Sequence, residues 1–474
     1  MYKLSLLLLS LLAAAAPTAA QGAAGRVLVG YWHNWPASPN TMTLAEVPEA
    51  YDVVNVAFAL PVAPGSATMQ FSPDPTVYPT SQDFAQDVAA LQANGKKVLI
   101  SIGGANHPVI VDSQADQDAF ASSMLQLITA YGFDGVDVNL EGDSFSLQAG
   151  DTDFKAPTTP RVVHFLGGLN QLLAQLPADF ILSAAPETAM VQGAMTNYAG
   201  VWGSYLPLLH AFRSRFDWVH VQHYNSGTMY GRDGQVYTPA TEDFHVAMTD
   251  ALLGGFTTAT GLVFDPLEPG QVALGLPSTV DAAANGFTDT AKVHAALDRL
   301  MLGAAAAGYQ LADPGGYPSL RGLMTWSINW DEHAGRSFST PHRSYLDTLF
   351  LRSNAPSLSA SLGGVVTLSL TAGRANAGRT YMLLAGFSGT SPGTALPGGG
   401  TLPLNLDPLS YAAANPAFAV VFRDFTGTLD ASGEAAAELS VPSLPDLAGV
   451  QLSFAYSMPP WNFASTSVGL ALTQ

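Results

Sequence analysis

The sequence predicts an α/β protein in two parts: a (β/α)8 TIM barrel followed by a C-terminal all-β, sandwich-like domain. Three observations carry that expectation. Short, nearly continuous apolar runs recur eight times in the first two thirds of the chain. Stretches with helical periodicity separate several of them. Helical periodicity then stops near residue 353. The 474 residues are long for one ordinary domain and comfortable for two. With 48% hydrophobic and 12% charged residues, the composition is that of a globular chain.

The eight runs are 26–30, 51–59, 97–101, 135–140, 180–184, 218–222, 271–275 and 322–326. Their unbroken apolarity suits strands buried on both faces of a parallel sheet. Helical spacing is read over 82–94 (Phe84, Val88, Leu91), 116–131 (Phe120, Met124, Leu127), 159–176 and 290–302. Eight units in roughly 320 residues fit a closed barrel better than an open doubly wound sheet. The barrel is assigned to residues 27–352. From 355 to 474 the chain reads as strands at 365–371, 379–385, 417–423, 438–441 and 449–456, punctuated by Gly and Pro.

The first 20 residues read as a secretory signal. Lys3 precedes a mostly apolar run, Leu4 to Ala16, too short for a membrane span, and Thr18-Ala19-Ala20 offers a small-residue cleavage site. The expected location is therefore extracellular. The chain has no cysteine, which excludes disulfides and thiolate chemistry. Its net charge of −19 disfavours nucleic acid and anionic membranes as partners. A monomer is expected, with no cofactor and no metal.

In a barrel of this kind chemistry gathers at the C-terminal ends of the strands. The fourth run ends Asp137-Val138-Asn139-Leu140-Glu141. Asp137, Asn139 and Glu141 alternate with Val136, Val138 and Leu140, so on a strand the polar three share one face. An inward row of this kind is costly unless its members bond one another or a ligand. A hydrogen-bonded plug is the bland alternative; the position of Glu141 at the strand tip favours a reacting group. A metal site is weakly supported, because no His lies beside the row in sequence. Asp134 has the opposite parity and suits a turn or packing role.

This row resembles the Asp-x-x-Asp-x-Asp-x-Glu motif of glycoside hydrolase family 18, the family of many chitinases. Asp134, Asp137 and Glu141 match it, and Asn139 stands where the family has its third Asp. Ser101-Ile102-Gly103-Gly104, Pro186-Glu187, Gln222-His223-Tyr224-Asn225, Trp326 and Gly30-Tyr31-Trp32 resemble further family motifs in family order. The resemblance covers roughly residues 27–350. It implies hydrolysis of β-1,4-linked N-acetylglucosamine chains, with retention, in which the substrate's own acetamido oxygen attacks the sugar carbon. Glu141 would be the acid and then the base. Asp137 would steady residue 139, and Tyr224 would hold the acetamido group. Trp326, Tyr31, Phe58, Gln222 and Asn225 would contact substrate. Each aromatic residue could instead be core, and Ser101, Gly103 and Gly104 suit structural roles. His33, His107 and His223 lie near strand ends without triad or metal spacing.

Asn139 can accept a hydrogen bond but cannot carry the charge of Asp. By analogy with deleting an oxyanion-hole donor, that loss is worth about 3–4 kcal/mol at the transition state. A slower hydrolase is therefore expected. Two other functions stay open: a lectin-like chitin binder, and an endo-β-N-acetylglucosaminidase acting on glycoprotein glycans. About 45 residues separate the last two barrel runs, room for one crossover helix. That implies an open groove and endo-type cutting. The aromatics Tyr381, Tyr411, Tyr456, Trp461 and Phe463 of the second domain are expected mainly in its core.

Overall fold

The computed structural model describes residues 26–36, 40–303, 308–314, 316–317, 320–346, 350–372, 376–398, 401–431, 433–461 and 464–474. The expected signal segment and Phe463 lie outside them. The described chain forms two compact units, one of Val27–Leu346 and one of Arg26 with residues 350–474.

The first unit is a closed parallel barrel. Its strands are β1 (Val27–His33), β2 (Val53–Pro61), β3 (Lys97–Gly104), β4 (Gly135–Leu140), β5 (Ile181–Ala184), β6 (Trp218–Gln222), β7 (Val272–Pro277) and β8 (Gly322–Trp326). Each pairs in parallel with its sequence neighbour, and β1 pairs with both β2 and β8, which closes the ring. Val and Leu on one parity face the helices, and the other parity fills the barrel interior. That double burial is why the runs read as continuously apolar.

Four expected helices are present: α1 (Ser81–Ala93), α2 (Gln114–Tyr131), α3 (Pro160–Leu173) and α6 (Thr290–Leu302). Side-chain oxygens of Thr80 and Ser113 accept the amides of Asp83 and Asp116 and start α1 and α2. Gly132, in the left-handed region at φ 71°, ends α2. Four further helices among the described residues of this unit were not anticipated: α4 (Leu206–Ala211), α5 (Glu242–Gly254), α7 (Ile328–His333) and α8 (Ser339–Leu346). In α5 every residue from Phe244 to Leu253 is buried, so it shows no polar face for periodicity to reveal. Among the described residues the connection from β7 to β8 holds α6 as its only helix or strand.

Among the described residues the second unit contains two larger sheets, a two-stranded ribbon of Thr394–Ala395 and Thr401–Leu402, and a short helix, Pro408–Ala413, that the sequence reading did not anticipate. One larger sheet runs Phe350–Ser353, Gly364–Thr371, Glu434–Val441, Phe422–Arg423; the other runs Ser357–Ser359, Val468–Thr473, Gln451–Ser457, Thr380–Gly386, Thr426–Thr428. Val366, Leu368, Leu370, Leu383, Leu439, Phe454 and Leu470 form their shared core. Tyr381 and Tyr456 are buried in it, whereas Tyr411 is at the surface. The strand expected at 417–423 is corrected: Pro416–Phe418 is a 3-10 turn, and only Phe422–Arg423 pairs. Asn415 caps that turn by accepting the Ala417 amide, a local bond that competes with extension.

Candidate active site

The polar row on β4 is built from the strand outward. Asp137 is fully buried and surrounded by donors. Its carboxylate accepts from Tyr31 Oη at 2.5 Å, Ser101 Oγ at 2.7 Å and Ser183 Oγ at 2.7 Å, with His220 Nε2 at 3.2 Å. Burial raises its pKa, but His220, through its hydrogen bond and charge, then Tyr31 and Ser183, outweigh that and hold it below the usual carboxylate range. Asp137 therefore stays ionised at the centre of the barrel.

Asp137 does not hydrogen-bond Asn139 among the described residues, contrary to the steadying role expected of it. Its oxygens are taken by β1, β3, β5 and β6. Asn139 is held from β6 instead: Gln222 Nε2 donates to Asn139 Oδ1 at 3.1 Å, to Ala185 O at 2.9 Å and, more loosely, to Glu141 Oε1 at 3.4 Å. The opposite side of the strand end is fixed by Tyr205, whose hydroxyl receives the Leu140 amide at 2.7 Å and donates to Leu140 O at 3.0 Å.

Glu141 follows directly on β4 and is partly exposed. Its pKa is pushed up from 4.5 to about 7. Burial is the main cause and the charge of Glu187 the second, with hydrogen bonds from Gln222 and Asn139 pulling the other way. A carboxyl poised near neutrality can give a proton and take one back. Glu187 follows β5, is backbone-paired to Gln222, and has a raised pKa of its own through burial, opposed by the Gly142 amide.

Tyr224 lies just past β6. Burial, then the charges of Glu141, Asp137 and Glu187, raise its pKa well above that of a free phenol. It is a firm donor, and its hydroxyl has no hydrogen-bond partner among the described residues. Trp326 closes β8 and stands at ring-centroid distances of 5.9 Å from Phe58, 5.6 Å from Tyr31 and 4.7 Å from His33. Phe58 and Trp326 are nearly parallel, at 11°. Trp35 stacks on His33 at 4.5 Å and on Phe58 at 6.3 Å. The result is an aromatic bed with both expected members, Phe58 and Trp326, partly exposed, and with Trp35 and His33 added.

The remaining sequence candidates are placed as follows. Tyr31 is buried, and its hydroxyl serves Asp137, whereas Phe58 and Trp326 are partly exposed. Asn225 is exposed at φ 49°, and its side chain accepts the Ala284 amide, so it holds the 284–286 loop over Tyr224. Gly103 and Gly104 adopt φ 98° and 81°; a Cβ on them would lie 2.8 Å from Asn139 O and 2.8 Å from the Phe58 ring respectively. These glycines let β3 pass close to both the polar row and the aromatic bed. Asp134, as expected, is structural: it accepts the Val98 amide at 2.9 Å and Gln92 Nε2 at 2.9 Å, and pairs with Lys97 at 3.2 Å. His223 is buried against His245, with the two Nδ1 atoms 3.2 Å apart.

Sequence reasoning missed His220, Ser183 and Trp35 as parts of the site. His220 and Ser183 sit mid-strand among apolar neighbours, and that interruption is the available signal, the same one that exposed the β4 row. Among the described residues no group of three or more His, Asp or Glu is arranged to hold a metal ion.

Comparison with known proteins follows the same boundaries. Residues 27–339 match the family described as glycosyl hydrolases family 18. Chitinase D of Niallia circulans is 47% identical over 326 residues, which is 68% of this chain and 62% of that protein. Chitinase Chi52 of Paenibacillus xylanexedens is 46% identical over 325 residues, again 68% and 62%. The chain thus spans less than two thirds of these relatives. The crystal structure of a family 18 chitinase from Chromobacterium violaceum superposes with a TM-score of 0.62 at 36% identity, covering 68% of this chain and 83% of that one. A closed barrel, a strand-four row ending in Glu141 and a family match across the whole barrel lead to one assignment: the chain belongs to glycosyl hydrolase family 18.

Proposed function

We propose that the protein is a chitinase that hydrolyses β-1,4 linkages between N-acetylglucosamine units with retention, the acetamido group of the substrate serving as nucleophile. One observation carries the reading: Glu141, with its pKa raised to about 7, stands at the strand tip within electrostatic reach of Tyr224, whose hydroxyl has no hydrogen-bond partner among the described residues. The names of the relatives support the substrate. In this mechanism Glu141 protonates the bridging oxygen as the acetamido oxygen closes on C1, then takes a proton from the water that opens the ring intermediate. Tyr224 donates to the acetamido oxygen. Asn139, oriented by Gln222, accepts from the acetamido N–H through its carbonyl. Trp326 and Phe58 offer aromatic faces to the apolar face of a pyranose.

Endo cutting is part of the proposal, supported by the connection between β7 and β8, where among the described residues α6 is the one helix and no strand is added. Export and a monomeric state are proposed on the sequence alone. The test is a digest of N-acetylglucosamine hexamer and of colloidal chitin, read by early-time proton NMR, beside a high-mannose glycoprotein. β-Anomeric products of mixed length from the first two support the proposal. Dimers released processively would contradict endo action, release from the glycoprotein alone would indicate a glycan hydrolase, and binding without any release would indicate a lectin-like protein.

A further inference from the structure

Asn139 leaves this site one carboxylate short beside the acid, yet a second carboxylate approaches Glu141 from a different strand. Glu187 is the third residue beyond β5. Its backbone is bridged to Gln222, the residue whose amide reaches Asn139 and Glu141. Ser183 and Ala184 pair with Asp137 and Val138, so the register carried on past β5 sets Glu187 beside Glu141, on the same inward parity as Ser183, whose hydroxyl reaches Asp137. Glu187 is therefore fixed against the two elements that carry the reacting groups. It is partly exposed, and neither it nor Glu141 takes part in an ion pair among the described residues. From the end of β4 it is faced by Glu141, from the segment after β6 by Tyr224, and from the segment before α4 by Tyr205. Arg161, beyond the loop after Glu141, is engaged with Asp112 at 3.2 Å. Arg161 also donates to the carbonyl of Asp143, and neither carboxyl of the pair has a cation in salt-bridge contact among the described residues.

We propose that Glu187 is a positioning residue that supplies, from strand five, the negative charge beside Glu141 that Asn139 cannot supply, and so keeps Glu141 in its acid form. This rests on the family 18 reading of Glu141 but concerns a different residue. Two carboxyls in one site share a titration, and the proton resides on the one whose charged form is less well supported. The Gly142 amide favours charge on Glu187. Charge on Glu187 then favours the proton on Glu141. Glu187 would thereby set the alkaline limit of activity without touching the scissile bond.

The test follows the Glu141 carboxyl by carbon-13 NMR in glutamate-labelled full-length protein, the signal being assigned by its loss in Glu141→Gln. In Glu187→Gln the Glu141 midpoint is expected to fall by about one pH unit, and the alkaline limb of kcat/KM on N-acetylglucosamine hexamer to move down with it. Adding Asn139→Asp to Glu187→Gln returns a charge from the other side and is expected to raise the midpoint again. Should Glu187→Gln fail to fold, Glu187→Asp, with its charge drawn back by one methylene, is expected to give a smaller shift of the same sign. An unmoved midpoint in folded Glu187→Gln overturns the proposal. A midpoint that moves in a protein releasing no sugar upholds the coupling and overturns the hydrolase reading instead.

Discussion

The hydroxyl of Tyr31 ends on a buried carboxylate, whereas that of Tyr224 has no hydrogen-bond partner among the described residues. The same substitution should therefore act differently at the two positions. Tyr31→Phe removes a donor from Asp137 and leaves that charge less satisfied, so thermal unfolding should show a loss of about 1–3 kcal/mol. Tyr224→Phe should leave stability within about 0.5 kcal/mol and lower kcat on chitin oligomers about 10²–10³-fold, since one preorganised donor to the developing charge is gone. Asn139→Asp should raise kcat, because a charge returns where Gln222 already orients the side chain; unchanged turnover would show that position 139 does not limit the rate. The polar row itself was legible in the sequence from its period of two. The partners of Asp137 were not, because Tyr31, Ser101, Ser183 and His220 come from four other strands, and closure of a ring is not a local property. For the same reason the reading that Asp137 braces Asn139 failed: adjacency along one strand did not foretell that another strand would reach in.

At the scale of elements, strands were legible and helices less so. A strand buried on both faces announces itself by unbroken Val, Ile and Leu, and all eight were found within a few residues. Helix α5 escaped because a helix buried all round has no apolar stripe, and α4, α7 and α8 are too short to display one. In the second unit Pro416 and Asn415 built a turn where apolar content alone suggested a strand. The glycine pair ending β3 joins element to site. Gly104→Ala would place a methyl 2.8 Å from the Phe58 ring at a backbone φ of 81°. It should lower stability by about 1–3 kcal/mol and raise KM for chitin oligomers as Phe58 is displaced; an unchanged KM would show that Phe58 does not carry substrate.

Over the whole molecule, the division into a barrel and a strand-rich second unit followed from where helical periodicity ceases. The buried histidines were not foreseeable, since a His that packs without charge looks like any other in sequence. His33 and His342 have their pKa lowered to about 3 and His245 to about 4, all by burial. The unfolded chain thus binds more protons than the folded one from about pH 6.5 downward, so their contribution to stability is lost as pH falls through that range. Glu141, raised to about 7, acts in the opposite sense between about 4.5 and 7, as do the raised carboxyls Glu187 and Asp217, but His210, His223 and His294 are lowered too and add to the histidine side. The melting temperature should accordingly fall from pH 7 to pH 5. Activity and stability then have opposed pH slopes in this range, because the acid form of Glu141 is favoured where the neutral histidines are not.

The most direct measurement is sugar release from N-acetylglucosamine hexamer by the wild type and by Glu141→Gln at equal concentration, with folding of both checked by their melting temperatures. A proton passing from residue 141 to the bridging oxygen requires release by the wild type and a loss of about 10²–10⁴-fold in the variant. Equal release by the two folded proteins would contradict it.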